Sequence, residues 1–147
     1  MPHLTLPLTA QGCAVTLFVN VSAERRAALQ AAGRPIPSLV QITALIDTGA
    51  SCTAIDAEQL LPLALTPTGV AHVHTPSTSG QAAQMPQYDV TLGITHPSGN
   101  NLIIETVPII AIPRFQRGGI SALVGRDVLA SCLLVYNGTE KTFTLGF

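Results

Sequence analysis

Residues 13–21 set the tightest limit on what this chain can fold into. Cys13, Val15, Leu17, Val19 and Val21 alternate with Ala14, Thr16, Phe18 and Asn20. That is the period of a strand with one buried face, not of a helix. The pattern recurs downstream. Tyr88, Val90, Leu92 and Ile94 share a face, Pro97-Ser98-Gly99-Asn100 reads as a turn, and Leu102–Val107 as the return strand. Ile109–Ile112 and Ala122–Val124 read as further short strands. Leu133–Tyr136 and Thr142–Leu145 flank Asn137-Gly138, a strong hairpin signal. Leu39–Ile46 reads as a buried strand with both faces largely apolar.

Helix signals are few and short. Ser22 is placed to cap Ala23–Ala32, with Gly33 as the stop. Ile55–Leu61 suits a helical turn before Pro62, and Arg126–Cys132 a short helix. Residues 66–87 are rich in Thr, Pro, Ser, Gly, Gln and His, which suits an exposed hairpin or loop, and Arg114–Gly119 is a further loop. The sum predicts an all-β chain, a small closed β-barrel with one to three short helices.

Length and composition narrow the function. The 147 residues predict one domain spanning 1–147. With 47% hydrophobic and only 10% charged residues, the chain is not disordered. Seven Lys+Arg against eight Asp+Glu argue against a broad nucleic-acid footprint. The most apolar stretch, 102–112, is interrupted by Glu105 and Pro108, so no membrane-spanning helix is expected. Residues 1–10 lack the basic-then-apolar pattern of a leader. Cys13, Cys52 and Cys132 are too few for a disulfide framework and suit a reducing, cytoplasmic setting as free thiols.

The chemistry concentrates at Ala44-Leu45-Ile46-Asp47-Thr48-Gly49-Ala50-Ser51. An apolar strand runs straight into a carboxylate and then a turn of small residues. A carboxylate there is costly unless it is hydrogen-bonded or used. Gly49 lets the backbone approach closely and turn its N–H inward. Asp-Thr-Gly is also ordinary turn vocabulary, so the tripeptide alone says little.

The segment 45–51 resembles the active-site strand and loop of retropepsin-like aspartic proteases. Ala122-Leu123-Val124-Gly125-Arg126-Asp127-Val128-Leu129 resembles that family's second signature, two apolar residues followed by Gly, Arg, Asp or Asn and a helix. The terminal hairpin resembles the cellular and bacterial members more than the viral ones. The resemblance implies an acid-protease barrel with a flap hairpin. It implies that Asp47 is catalytic within the loop Asp47–Ser51, comprising Thr48, Gly49, Ala50 and Ser51. The Thr48 hydroxyl would bond the partner chain's backbone, and the Gly49 N–H would face the carboxylate. Leu123, Val124, Gly125, Arg126 and Asp127 would support that loop from below. By position and composition only, Pro76, Ser77, Thr78, Ser79 and Gly80 would form the flap tip.

The mechanism so implied needs two carboxylates sharing one proton, with water and no metal or cofactor; aspartic proteases are the standard instance of this arrangement. Only one Asp-Thr-Gly is present, so the resemblance implies a homodimer acting on extended peptides, with one site on its two-fold axis. Departures from the viral pattern have consequences. Ser51 and Cys52 stand where viral enzymes carry acidic residues, so Arg126 must find another partner: Asp127, a backbone carbonyl or Glu105. Asp127 is most simply a first-turn helix acid. Ala50 stands where many aspartic proteases have Ser.

Three other readings compete. A catalytically silent dimeric module could keep the fold to bind peptides. A metal-dependent hydrolase could use His72 and His74, two residues apart, but no third ligand is evident. Cys52 could be a nucleophile only with a positioned His. Arg25, Arg26 and Arg34 read as a solvated face.

Overall fold

The computed structural model describes residues 1–75 and 79–147. Ten strands and three short α-helices follow in the order β1 (His3–Pro7), β2 (Ala14–Val21), α1 (Ala23–Ala31), β3 (Val40–Ile46), β4 (Ala54–Asp56), α2 (Ala57–Leu60), β5 (Gly69–Val73), β6 (Ala83–Ile94), β7 (Leu102–Ile112), β8 (Ala122–Val124), α3 (Arg126–Leu129), β9 (Leu133–Asn137) and β10 (Thr142–Gly146). The strands β2-β3-β8-β4-β7-β6 form a continuous sheet, and β6 pairs back onto β2. Six strands therefore close a barrel, with β5 hydrogen-bonded to β6 outside the ring. Closure leaves no free edge among the six and holds one contiguous core. Val15, Leu17, Val19 and Val21 of β2 pack inside it with Val90, Leu92 and Ile94 of β6.

The alternation in β2 and β6 and the short α1 match the sequence reading. Ser22 Oγ accepts from the Arg25 N–H at 3.2 Å, and Gly33 takes φ +64°, a conformation that glycine adopts without a Cβ penalty. Several other boundaries moved. Leu102–Val107 and Ile109–Ile112 are one strand, because Pro108 lies before β4 begins to pair at Ile110 and no N–H is needed on that side. β3 alternates rather than burying both faces: Gln41 and Thr43 are exposed while Ile42, Ala44 and Ile46 are buried. Ile55 belongs to β4, and the helical turn is confined to α2 with a 3-10 turn at Leu61–Leu63 that takes Pro62 in its first positions. α3 ends at Leu129, short of Cys132. The β9–β10 hairpin is present, but its link is the four residues after Asn137, and the positive φ of +52° falls on Lys141 rather than on Gly138.

Besides β4, one strand had no counterpart in the sequence reading. β1 pairs with β10, which pairs with β9, so the two ends of the chain form a separate three-stranded sheet. Leu4 and Leu6 alternate as a strand should, but Pro2 and Pro7 bracket them as breakers.

The tightest backbone crossing lies beneath the end of β3. A Cβ on Gly125 would stand 2.5 Å from the carbonyl carbon and 2.6 Å from the carbonyl oxygen of Cys52. Both neighbours are backbone and cannot rotate away. Gly125→Ala should therefore cost about 2–3 kcal/mol of stability through forced backbone movement. Urea unfolding of the variant checks this, and an unchanged midpoint and slope would refute the crossing.

Candidate active site

Asp47 is the first residue after β3. Its N–H donates to the Val124 carbonyl at 3.0 Å, and its own carbonyl accepts from the Ala50 N–H at 3.2 Å. The carboxylate is half-buried. Oδ1 accepts from the Gly49 N–H at 2.9 Å, while Oδ2 has no hydrogen-bond partner among the described residues. A Cβ on Gly49 would sit 3.1 Å from Oδ1, so a side chain would crowd the carboxylate. One oxygen is fixed by the loop and the other is left open.

The loop from Asp47 to Thr53 is tied down along its length to the segment that follows β8. The Arg126 N–H donates to the Ala50 carbonyl at 3.0 Å, and Arg126 Nη1 donates to the Thr48 carbonyl at 3.2 Å. Of the three partners open to Arg126, a backbone carbonyl is the one it takes. Glu105 pairs instead with Arg26 at 3.5 Å. Asp127 is engaged elsewhere. Its Oδ2 accepts from the Thr53 N–H and its Oδ1 from the Thr53 hydroxyl, each at 2.8 Å. The Thr53 oxygen in turn accepts from the Gly125 N–H at 3.1 Å. Asp127 does stand in the first turn of α3, but its carboxylate is spent on Thr53 rather than only on the helix dipole. Thr53 is fully buried, and the sequence reading missed it. The only local signal was a hydroxyl residue just past the turn.

Other residues of the motif stand differently. Thr48 and Ser51 are exposed, and the Thr48 hydroxyl has no partner within the chain among the described residues. Leu123 pairs with Leu45 and Val124 with Ile46 across the parallel β3–β8 contact. Residues two apart on a strand share a face, so Leu45 lies on the side of β3 that leads to Asp47. There a cavity of about 490 Å³ is lined by Gln11, Leu45, Phe115, Arg117, Ile120 and Leu123. Its floor is apolar and its polar groups are few, the usual make-up of a small ligand site. Gln11, Phe115 and Arg117 had not been singled out from sequence, because they come from two loops far apart in the chain.

β5 and β6 form the antiparallel hairpin expected in the polar region 66–87. Of the proposed tip, Pro76, Ser77 and Thr78 lie outside the described residues. Ser79 and Gly80 are exposed at the turn with φ of +49° and +82°. His72 Nε2 lies 3.5 Å from Gln84 Nε2, and among the described residues no three His, Cys, Asp or Glu side chains converge. Burial pushes the Cys13 and Cys132 thiols above the ordinary range, which leaves both poorly nucleophilic. No helix among the described residues is long and apolar enough to cross a membrane.

No protein-family model matches the chain, and no curated protein matches it. Solved structures do. A retropepsin-like aspartic protease from Rickettsia conorii superposes with a TM-score of 0.60 at 12% identity, covering 99% of this chain and 91% of that one. The foamy viral protease-reverse transcriptase, solved with an RNA/DNA hybrid, gives a TM-score of 0.44 at 15% identity, covering 79% of this chain and 11% of that one. The second overlap is too loose to define a fold. The first runs the length of both chains and takes in the closed barrel, the β5–β6 hairpin and the loop after β3. This chain has the retropepsin-like fold.

Proposed function

We propose that the chain is an aspartic endopeptidase whose site is built by Asp47 from each of two copies. The observation that carries this reading is the state of the Asp47 carboxylate: one oxygen is held by the Gly49 N–H, the other is open, and the loop bearing it is braced from below. Such bracing is what preorganisation of a reacting group requires.

With two such carboxylates in contact, like charges that close cannot both ionise, and the pair holds one proton. The ionised member takes a proton from a water, which attacks the peptide carbonyl. The protonated member gives its proton to the carbonyl oxygen, leaving a tetrahedral diol. No covalent acyl-enzyme is formed. The apolar cavity beside Leu45 and Leu123 would receive a side chain of the peptide, and the β5–β6 hairpin would lie over its backbone.

Two features support a second copy as the source of the other Asp47. The Thr48 hydroxyl is exposed and unused within the chain. β9 is an edge strand with neither proline nor charge, and Leu133, Val135 and Tyr136 stand 54%, 47% and 64% exposed. Bare apolar edges of this kind are normally covered. Pairing about a two-fold axis covers both copies at once. Three free thiols suit a reducing compartment such as the cytoplasm.

Asp47→Asn should keep the fold and lower peptide hydrolysis by about 10³-fold or more, since Asn cannot exchange the proton. Turnover at the parent rate, in protein freed of contaminating protease, would sink the mechanism. No turnover in the parent dimer itself would favour the competing reading, a silent peptide-binding module of the same fold.

Specific activity should fall on dilution, because each site needs two chains. Thr48→Ala should weaken self-association about tenfold or more through loss of the two reciprocal hydroxyl bonds. Sedimentation velocity beside the activity assay checks both, and a fully active monomer would refute them.

The pH profile should be bell-shaped on the acidic side of neutral. Ala50 offers no hydroxyl to the carboxylate. A Ser there would donate to it, favour the ionised form and lower the apparent pKa values of the pair. Ala50→Ser should therefore move both limbs of the profile toward acid, measured with one peptide and with the dimer verified at each pH. Limbs that stay fixed would place residue 50 out of reach of the reacting pair.

A further inference from the structure

Away from Asp47, a cavity of about 520 Å³ lies between the start of α1, the segment before β5 and the outer side of β6 and β7. Arg25, Asp89, Glu24, Thr66, Thr106 and Leu65 are among the residues that line it. Two opposite charges face this space without meeting, since no ion pair joins Arg25 and Asp89 within 4.0 Å. Neither finds another partner. Arg25 Nε is a buried side-chain atom with no hydrogen bond, and Asp89 makes no side-chain hydrogen bond or ion pair among the described residues.

The neighbours make this unusual. Arg26, the next residue on α1, has partners: Nη1 lies 3.5 Å from Glu105 Oε2, and Nη2 donates to Thr91 Oγ1 at 3.3 Å. Glu24 is also engaged. Its Oε2 accepts from the Thr106 hydroxyl at 2.7 Å, and that bond holds its carboxyl below the usual range. Glu24 keeps its negative charge, but it makes no ion pair with Arg25 within 4.0 Å. Buried polar atoms are nearly always satisfied, and the unsatisfied Nε belongs to a side chain that lines the cavity.

We propose that this cavity binds a small zwitterion, a molecule carrying both a carboxylate and an ammonium group, as a free amino acid or a short peptide does. The planar fork of the Arg25 guanidinium suits a carboxylate, and Asp89 suits an ammonium. The Thr66 hydroxyl, without a partner among the described residues, offers a further hydrogen bond, and Leu65 supplies an apolar wall for a short side chain. The volume falls within the range of small-ligand sites and is similar to that of the cavity lined by Leu45 and Leu123. This site stands independently of the protease reading.

The experiment is titration of the full chain, followed by amide chemical shifts, with four probes: L-alanine, L-alanyl-L-alanine, acetate and methylamine. At least one of the two zwitterions should bind saturably, with shifts confined to α1, residues 65–68 and the Asp89 and Thr106 region. Arg25→Met should weaken that binding about tenfold or more, and Asp89→Asn should weaken it by a similar factor. Alanine against the dipeptide tells a free amino acid from a peptide. Saturable shifts that vanish in Arg25→Met but persist unchanged in Asp89→Asn, or acetate binding as tightly as the zwitterions, would reduce the site to an anion contact and overturn the proposal. Absence of saturation by either zwitterion would overturn it outright. Arg25→Lys, which keeps the charge and loses the fork, guards against a folding defect. It should keep parent dispersion and bind between the parent and Arg25→Met.

Discussion

The bond pair between Thr53 and Asp127 is what the site depends on. Two hydrogen bonds of 2.8 Å join a buried threonine to a carboxylate that lies 74 residues further along the chain. Bonds to an ionised acceptor are stronger than neutral ones, and burial removes competition from water. They fix the exit of the loop that starts at Asp47, while the Asp47 N–H bond to Val124 fixes its entrance. Between these two points the loop can only bow outward, and Gly49 turns its N–H onto the carboxylate. The same network requires Gly125, because the backbone of Cys52 passes where any side chain would lie. Loop geometry, β8 and α3 are therefore one mechanical unit.

That unit explains what was legible in the sequence and what was not. Asp47-Thr48-Gly49 and Gly125-Arg126-Asp127 could be read as local signals, since a turn needs small residues and a strand needs apolar ones wherever they occur. Their physical connection could not. Nothing local to Thr53 says that its hydroxyl meets Asp127, and the three partners open to Arg126 were separable only once the loop carbonyls had positions. Gln11, Phe115 and Arg117 stayed invisible for the same reason: a cavity wall drawn from two remote loops has no sequence period.

The fold divides along the same line. β2 and the Tyr88–Ile94 part of β6 were legible because their large apolar residues recur at every second position, so period alone defines them. α1 was legible because Ser22 and Gly33 mark its two ends chemically. β4 is three residues long, shorter than any period needs in order to show, and it exists because neighbours pair with it on both sides, whereas the equally short β8 was legible as the apolar run Ala122–Val124. β7 was cut in two on paper because proline is a poor strand residue in general. In place it is harmless, since no strand pairs with that side at Pro108. Tertiary context overrode local preference at each of these points.

Charge is scarce enough in this chain to be followed residue by residue. Most of the fifteen charged side chains are exposed and solvated, and six are buried or half-buried: Arg25, Arg26, Asp47, Asp56, Asp89 and Asp127. Withdrawing a charge from water is costly unless a partner replaces the hydration. Three of the six have a structural task that does so. Arg26 meets Glu105 and Thr91, Asp56 caps α2 through the Glu58 N–H, and Asp127 holds Thr53. Asp47 is half-satisfied, with one oxygen free. Arg25 and Asp89 have no side-chain hydrogen bond or ion pair among the described residues. All three are only partly buried, and among their side-chain polar atoms only Arg25 Nε is both buried and without a hydrogen bond. The three exceptions fall at two places, the end of β3 and the cavity beside α1, the two places where the proposals above bring in a group from outside the single chain.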